Sequence, residues 1–536
     1  MQGKEKIKKM KRSYIIISST TVVVIALAVI LKCNAKQPVA VADFELKLDQ
    51  HDLALRPFDS TLIASFFIKY PELGDYEKDV VSVYRNHNFN YLWHDSKGRK
   101  ETAEVLYSRI NSISEEGIFK KVPYQKTLDA LLAQSLRTDL TNELFLTSLY
   151  FFYTDKVLAG INRKKREEMG WFLERESNSY VSYLDTLLAN PGLANKETQL
   201  NKQYYLLRNA LEKYQIMASS GGWDTIRISE KFKSLKPKDT SELIVAIRKR
   251  LFISGDLKED SGSTVFDKSL MDAISVFQAR HGFLVDKTIG KKTISAMNVS
   301  VAERIKTIMI NMERCRWISP SIFKDKEYIV VNIPAYRLFY IKNDLMALQS
   351  DVVVGTTMNQ TVIFSGKMKY IVFSPYWNIP QSIIEDEVLP GIQENSNYLA
   401  NHNMEWNKGF VRQKPGVRNS LGLVKFLFPN SNNIYLHDTP SKSLFQKESR
   451  AFSHGCIRIA KPKELAEAIL ANDSKWDAEK IDLAMNKGEE TWYTIKNEIP
   501  VYIGYFTAWM DRNGNLNFYE DVYKRDAQLE RFLTEK

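Results

Sequence analysis

Cysteine is scarce in this sequence, and the spacings that bind metals are missing. Three cysteines in 536 residues exclude a disulfide-built scaffold, and 44% hydrophobic with 26% charged residues excludes a disordered or collagen-like chain. No HExxH motif or paired-cysteine spacing accompanies His87 or His94, so surface or capping roles are expected for both. The length predicts roughly two to four domains.

Dense positive charge is also absent. The net charge is +11, but residues 1–13 contain six Lys or Arg and one Glu, so the rest of the chain carries only +6. No basic stripe with interleaved aromatic residues occurs, and no nucleic acid is expected as a partner. The remaining surplus is compatible with an acidic polymer as partner.

The one long uncharged run lies near the start. Residues 14–31 contain no charge and are long enough to span the hydrocarbon core of a membrane as a helix. The basic segment 1–13 should stay in the cytoplasm. We therefore expect an uncleaved signal-anchor in the inner membrane, with residues 37–536 in the periplasm.

Two alternatives to the anchor stay open. The sequence Cys33-Asn34-Ala35 loosely fits a cleavage site of small residues, and cleavage there would secrete the rest of the chain. Lipid modification of Cys33 is the third interpretation, which Lys32 directly before it disfavours.

The two remaining cysteines differ in their surroundings. Cys315 continues the apolar face of a predicted helix, which is typical of a small buried hydrophobe. Cys456 lies in SHGCIRI, among polar and glycine residues where packing does not explain a thiol. An oxidising compartment would pair the two if their geometry allowed. Cys456 is otherwise the candidate nucleophile.

The hydrophobic pattern changes its period along the chain. From about 44 to 235 apolar residues recur with helical spacing, as at Leu146, Leu149 and Tyr153, which predicts a helical scaffold. Later the period becomes 2, and strands are predicted at 328–333, 338–341, 346–354, 370–373 and 433–437. The stretch 382–422 is polar and too long for a plain connection, which predicts a lid or insert over a site.

A cysteine and a histidine supply the expected chemistry. Alternation along the strand 433–437 places Tyr435 and His437 on one face. An imidazole near Cys456 would take its proton and give a reactive thiolate. Gly455 allows a close turn, so that the amides of Gly455 and Cys456 can face a developing oxyanion. A backbone carbonyl near 438–439 is the expected partner that orients His437.

Other arrangements of the same residues stay open. His454 competes with His437 as the base, but its place two residues before Cys456 favours support of the loop or of the oxyanion. A zinc ion held by His437, His454 and Cys456 would lack a fourth ligand. A buried cysteine in an inactive β domain is the remaining alternative.

The segment 236–300 resembles the peptidoglycan-binding type 1 domain, a compact three-helix module. Its hallmarks appear as Phe277-Gln278, His281-Gly282, Val285-Asp286 and the helix start from Gly290 to Thr293. Lys287 stands where that family usually has glycine. A plain helical spacer is the alternative.

The motif around Cys456 resembles that of the YkuD-type L,D-transpeptidases, in which a histidine precedes [ST]-x-G-C-x-R by about 15 residues. The likeness extends to the large subgroup of that family, which has a peptidoglycan-binding module and a capping insert. The segments that carry it are 352–380, 412–430, 434–440 and 500–509.

The resemblance implies a role for each matching residue. The nucleophile falls on Cys456, the general base on His437 and the oxyanion turn on Gly455, while His454 stands where the large subgroup often has serine. The positions with expected supporting roles are Ser453, His454 and Arg458. The expected substrate-binding residues are Tyr435, Trp377, Asn378, Arg412 and Arg418, of which the two arginines could instead lie on a solvated loop.

The predicted architecture is multidomain α+β with a mainly-β catalytic domain. Its segments are a cytoplasmic basic segment 1–13, a transmembrane anchor 14–31, a helical scaffold 37–235, a peptidoglycan-binding module 236–300, a linker helix 301–325, a catalytic domain 326–510 with a capping insert at about 382–422, and a C-terminal segment 511–536.

The family resemblance implies a cell-wall enzyme without a metal or organic cofactor. Its cysteine would form a thioester on the third residue of a tetrapeptide stem, release D-Ala, and pass the acyl group to an amine of a second stem as a 3-3 crosslink. It would also react with carbapenems. L,D-carboxypeptidase activity, attachment of a protein to peptidoglycan, an exported cysteine protease and a non-catalytic wall-binding anchor are the alternatives. Other wall-synthesis proteins are candidate partners of the scaffold.

Overall fold

The computed structural model describes residues 57–95, 97–133, 139–176, 179–195, 199–323 and 325–534. The predicted basic segment 1–13, the transmembrane anchor 14–31 and the cleavage or lipidation site at Cys33 lie outside these residues. Within the described ranges, no helix is both long and apolar enough to cross a membrane. The predicted multidomain α+β architecture, with a helical region and a mainly-β part, is confirmed there.

In the part of the scaffold that the structure describes, eight α-helices are present. The predicted apolar face at Leu146–Tyr153 belongs to α5, which is buried on nearly all sides and continues into a π-helical turn at Thr154–Ala159. The helices are α1 (Leu62–Lys69), α2 (Glu77–Asn86), α3 (Glu101–Asn111), α4 (Gln125–Ala133), α5 (Leu140–Tyr153), α6 (Arg163–Glu168), α7 (Tyr180–Ala189) and α8 (Lys202–Ser219). The short strands β1 (His94–Asp95), β2 (Gly98–Arg99) and β3 (Trp171–Phe172) lie among them.

A three-helix module with its own hydrophobic core follows. It contains α9 (Leu243–Ile253), α10 (Lys268–Arg280) and α11 (Lys291–Met297), with β4 (Ser234–Leu235) paired to β5 (Ile289–Gly290). Gln278 fixes the loop before β5 by donating to Asp286 at 2.7 Å and accepting from the Lys287 amide at 3.0 Å. Lys287 has φ +60°, which explains why glycine suits this position in the resembling family.

The helix α12 (Val301–Arg316) differs from the predicted linker. Ser300 caps its first turn by accepting from the Glu303 amide at 3.2 Å, and its C-terminal half is buried. Helix α8 packs along it. A linker joining two units would be largely solvated, whereas α12 lies inside the protein because its apolar residues recur on more than one face.

The catalytic part is a closed sheet of eight strands. The order around it is β13-β14-β16-β8-β7-β6-β17-β9, and β13 closes the ring by pairing with both β14 and β9. The strands are β6 (Glu327–Asn332), β7 (Arg337–Lys342), β8 (Leu345–Gly355), β9 (Ile363–Phe373), β13 (Val424–Leu427), β14 (Leu436–His437), β16 (Ile457–Ile459) and β17 (Thr491–Gly504). Of the predicted strand 433–437, only the last two residues form a strand, which is β14.

Shorter elements complete this part. The strand β15 (Ala451–Ser453) pairs parallel to β8, and the helices α16 (Pro462–Leu470) and α17 (Ala478–Asn486) pack outside the barrel. The C-terminal residues form the hairpin β18 (Ala508–Met510) with β19 (Leu516–Phe518), followed by α18 (Arg525–Thr534).

The predicted insert is a small folded unit rather than an open loop. A π-helical turn at Ile384–Val388 is flanked by α13 (Gln381–Ile383), α14 (Leu389–Glu394) and α15 (Tyr398–Asn401). A sheet of β10 (Trp377–Asn378), β11 (Met404–Asn407) and β12 (Phe410–Gln413) follows. Ile379, Ile384, Val388 and Val411 form its buried core, and partly buried apolar side chains pack around these four.

Scaffold and barrel share one hydrophobic core. The strand β3 from the scaffold pairs parallel to β9, with Trp171 opposite Ile363. The Trp171 ring packs edge-on against Trp317 and Phe506, at centroid distances of 5.1 and 5.7 Å. Apolar residues of both parts belong to this core, which makes the scaffold a structural component of the barrel.

Buried charges at the end of α12 link the same parts. Glu313 accepts from the Ile161 amide at 2.7 Å and from the Trp317 indole at 2.8 Å, and it pairs with Arg316 at 2.9 Å. Arg316 in turn donates to the Val157 carbonyl at 2.9 Å. Charged groups this deeply buried require such partners.

We expect Glu313→Ala to lower the free energy of unfolding by about 3–5 kcal/mol, because Arg316 would lose its ion-pair partner inside the protein. Thermal unfolding of the full chain, followed by circular dichroism, measures the effect. Glu303→Ala on the exposed side of the same helix is the matched control and should change the melting temperature little. Equal melting temperatures for both variants would contradict the structural role of the pair.

Candidate active site

Cys456 ends a tight turn that begins at Ser453, between β15 and β16. Its side chain is half-buried, and its Sγ donates to the Asn433 carbonyl at 3.6 Å. Asn433 has φ +53°, in the left-handed region of backbone conformation. Cys315 is fully buried, and both cysteines are free thiols. The two therefore do not form the disulfide that an oxidising compartment would have favoured.

The Tyr435 hydroxyl is the candidate group for activating the Cys456 thiol. It forms hydrogen bonds with the Cys456 side chain and with the Trp377 side chain. Burial raises the pKa of the Cys456 thiol, while the hydrogen bonds from Tyr435 and the positive charge of Arg458 act in the opposite direction. Burial also raises the pKa of Tyr435, so its hydroxyl stays protonated and able to donate.

His437 lies on β14, next to β16. Its Nδ1 meets the Asp438 carbonyl at 2.5 Å, the kind of partner that the sequence predicts, and the Leu421 carbonyl is a second hydrogen-bond partner. Burial and then the charge of Arg458 lower the pKa of His437 to about 3. The imidazole is therefore neutral at pH 7, and its surroundings disfavour the protonated form.

The structure places Cys456 directly before β16, which is the neighbour of β14, the strand of His437. In the parallel pair of β14 and β16, Leu436 is opposite Ile457 and His437 is opposite Arg458. The rings of Tyr435 and His437 are 5.7 Å apart, on the same side as predicted. Within the described residues, Sγ of Cys456 bonds to Asn433 and Tyr435 rather than to His437. Catalytic hydrogen bonds often tighten only when substrate binds.

Ser453 shapes the turn around the nucleophile. Its Oγ donates to the Cys456 carbonyl at 2.6 Å and accepts from the Gly455 amide at 3.1 Å. Gly455 has φ +115°, a conformation that favours glycine. Of the two amides predicted to face an oxyanion, that of Gly455 therefore points to Ser453. The Cys456 amide has no acceptor among the described residues.

His454 and Arg458 occupy different environments. His454 is exposed, and its Nε2 lies 3.7 Å from the likewise exposed Glu387 of the insert. Arg458 is half-buried beside Cys456 and His437, and its Nε is buried without a hydrogen-bond partner. The described residues contain no group of three His, Cys, Asp or Glu side chains that could hold a metal ion.

The predicted substrate-binding residues lie mostly at the base of the insert. Trp377 and Asn378 form β10, where Asn378 is exposed and opposite Arg412 on β12. Arg412 bonds to Glu405 at 2.8 Å and lies 4.0 Å from the Tyr376 ring centre. Arg418 is exposed beyond β12. Arg412 is thus held inside the insert, while Trp377 contacts the catalytic residues through Tyr435.

Sequence reasoning missed the side chain of Asp438. It is buried and accepts from the Leu423 amide at 2.8 Å, and it pairs with Lys442. A Cβ on Gly422 would lie 2.3 Å from its carboxylate, so only glycine fits there. The carboxylate thereby holds the chain from Leu421 to Leu423, which carries one of the carbonyls that contact His437. The glycine at position 422 was the feature of the sequence from which this close contact could have been inferred.

Two family profiles match this chain. Residues 326–496 match the YkuD profile, an L,D-transpeptidase catalytic domain, and residues 78–211 match a profile described as a scaffold domain. The first match confirms that the chain contains an L,D-transpeptidase catalytic domain of the type its sequence resembles.

Among known proteins, a Haemophilus influenzae protein provisionally named as an L,D-transpeptidase is 34% identical over 221 residues. The match covers 38% of this chain and 45% of that protein, so this chain spans less than half the length of that relative. An L,D-transpeptidase structure from Stackebrandtia nassauensis is 14% identical, covering 50% of this chain and 97% of that one, with a TM-score of 0.22. An L,D-transpeptidase structure from Mycobacterium smegmatis is 11% identical, covering 33% of this chain and 58% of that one, with a TM-score of 0.20.

We expect the His437 imidazole to stay neutral between pH 8 and pH 5. Carbon-13 labelling of histidine followed by NMR measures this, with His437→Gln identifying the resonance. Because its pKa in the folded chain lies below that of an unfolded histidine, the unfolded chain binds the extra proton below about pH 6.5. The protein should therefore lose stability as the pH falls from 6.5 toward 3, and His437→Gln should reduce this loss. A titration midpoint near 6.5 would contradict the neutral state.

Tyr435→Phe should slow the alkylation of Cys456 by iodoacetamide roughly tenfold at pH 7, because a hydrogen bond to the thiolate is lost. Peptide mass spectrometry measures the rate at Cys456. Tyr370→Phe on β9 is the control and should react as the unaltered protein does. An unchanged rate in Tyr435→Phe would show that its hydroxyl does not stabilise the thiolate.

Proposed function

We propose that this chain is a cell-wall L,D-transpeptidase with Cys456 as its nucleophile. The observation that carries the proposal is a half-buried thiol next to the strand of a neutral histidine, within a domain that matches the L,D-transpeptidase profile. A neutral thiol and a neutral imidazole need only one proton transfer between them to become a nucleophile and a general acid.

In the first half-reaction, the sulfur of Cys456 attacks the carbonyl carbon of the third residue of a tetrapeptide stem. His437 takes the thiol proton as the carbon–sulfur bond forms. The tetrahedral oxyanion collapses, the bond to the D-Ala nitrogen breaks, and His437 returns the proton to that nitrogen. Free D-Ala leaves and a thioester remains on Cys456. The hydrogen bond from Nδ1 to the Asp438 carbonyl orients the ring throughout.

In the second half-reaction, the side-chain amine of another stem attacks the thioester. His437 accepts the proton of the amine and gives it to the departing sulfur, which restores the thiol and leaves a 3-3 crosslink. Water in place of the amine yields a tripeptide, which is L,D-carboxypeptidase activity. An amine of a protein would yield a protein attached to peptidoglycan. All three outcomes use the same acyl-enzyme.

The insert supplies walls for the stem peptides in this proposal. Tyr435 and Trp377 line the site beside the thiol, and His454 faces Glu387 of the insert. Arg458, with an unpartnered Nε, supports the nucleophile by its charge. Asn378, Arg412 and Arg418 are assigned to the outer part of the stem-binding surface.

The other proposed properties concern place and partners. Residues 14–31 anchor the chain in the inner membrane, and residues 37–536 act in the periplasm. The module 236–300 holds peptidoglycan near the site, and the scaffold contacts other wall-synthesis proteins. A non-catalytic wall-binding anchor is the competing function of another class.

Purified full-length chain in detergent, incubated with a disaccharide-tetrapeptide, should give a crosslinked dimer that lacks one D-Ala. Cys456→Ala should give none, since no thioester can form. Mass spectrometry of the products distinguishes the dimer from tripeptide, which would instead establish carboxypeptidase activity.

A carbapenem serves as a second probe. It should add its full mass to the protein but not to Cys456→Ala. Should neither products nor adduct form, the proposed enzyme is wrong and the anchor function gains support.

A further inference from the structure

We propose that Thr361, held in place by Tyr523, is a positioning residue that aims the Cys456 amide at the oxyanion. The inference deepens the proposed function and rests on its acyl-transfer chemistry. It concerns two residues that the motif around Cys456 does not include. Thr361 lies in the loop between β8 and β9, and Tyr523 lies between β19 and α18.

The contact that matters is between Thr361 and the turn of the nucleophile. Thr361 is fully buried, and its Oγ1 donates to the Gly455 carbonyl at 2.8 Å. The peptide bond between Gly455 and Cys456 is trans. In a trans peptide the carbonyl and the amide point in opposite directions. Fixing the Gly455 carbonyl toward Thr361 therefore fixes the Cys456 amide away from it.

The Cys456 amide is the donor that this orientation serves. The Gly455 amide donates to Ser453 Oγ, whereas the Cys456 amide has no acceptor within the described part of the chain. An amide of the nucleophilic residue itself is well placed for the oxyanion, whose oxygen sits on the carbon that bonds to its sulfur. Donors of this kind stabilise the transition state only when their direction is set in advance.

Thr361 is itself fixed by two groups. Its Oγ1 accepts from the Gly355 amide at 2.9 Å, which leaves the hydroxyl hydrogen for Gly455. Its own amide donates to the Tyr523 hydroxyl at 3.2 Å, and that hydroxyl donates to the Gly355 carbonyl at 2.8 Å. A Cβ on Gly355 would lie 2.0 Å from the Asn359 carbonyl oxygen, so the loop closes tightly here.

Tyr523 is well anchored for this task. Its ring stacks on Tyr505 at a centroid distance of 5.6 Å, and its amide donates to the Tyr505 hydroxyl at 2.8 Å. Tyr523 is buried, so its hydroxyl is not exchanged for water. The C-terminal segment, which lies beyond the matched residues 326–496, thus contacts the back of the nucleophile's turn.

The test separates reactions that form an oxyanion from one that does not. Acylation by p-nitrophenyl acetate forms a thioester on Cys456, releases p-nitrophenolate, and passes through a tetrahedral oxyanion. Alkylation by iodoacetamide displaces iodide without one. Both reactions need the same thiolate, so the ratio of the acylation rate to the alkylation rate reports the effect of the oxyanion donor alone. The ester is not a wall peptide, which makes this ratio independent of transpeptidase activity.

In the full chain, we expect Thr361→Val to slow acylation of Cys456 at least tenfold while alkylation changes less than threefold. Thr361→Ser keeps the hydroxyl and should restore acylation. Tyr523→Phe should slow acylation by a smaller factor, and it serves as the second variant if Thr361→Val does not fold. With disaccharide-tetrapeptide as substrate, kcat should fall and KM should change little.

Two results would overturn the positioning role: an equal effect of Thr361→Val on acylation and alkylation, or a Thr361→Ser variant as slow as Thr361→Val. Failure of the proposed function looks different. In that case the unaltered protein reacts with the ester and with iodoacetamide but makes no product from the disaccharide-tetrapeptide.

Discussion

The buried ion pair between Glu313 and Arg316 constrains the whole arrangement, because neither charge can be left without partners inside the protein. The partners come from the scaffold, at Ile161 and Val157, and from Trp317 at the end of the same helix. Trp317 then packs on Trp171, whose strand β3 extends the barrel along β9. One polar cluster thus determines where the scaffold, α12 and the barrel meet.

Burial has a second effect at the site. It opposes charge on both Cys456 and His437, so that the resting pair is a thiol and a neutral imidazole. Formation of the thiolate must then be favoured by fixed dipoles and by the charge of Arg458 rather than by water. The hydrogen bonds of Tyr435, Ser453 and Asp438 supply fixed polar contacts of this kind, each within one strand or turn of the reacting atoms.

Much of the barrel and the candidate site around Cys456 could be predicted from the sequence because their signals are local. A hydrophobic period of 2 predicted β6, β7 and β8, and the residues of SHGCIRI are adjacent in the chain. The closure of the barrel by β13 and the addition of β3 could not be predicted, since pairing between distant segments leaves no local pattern. Tyr523 was missed for the same reason, being 67 residues beyond Cys456. The insert was recognised by its length, but the few residues of its buried core are too widely spaced in the sequence to give a period.

The strand β3 has a consequence for how such proteins diverge. Because the scaffold provides a strand to the barrel, the two cannot be exchanged separately between genes without leaving an open edge on β9 and an uncovered tryptophan. They should be inherited as one unit. The three-helix module and the insert each possess a core of their own. Gain, loss or replacement over evolutionary time should therefore be concentrated in these two units.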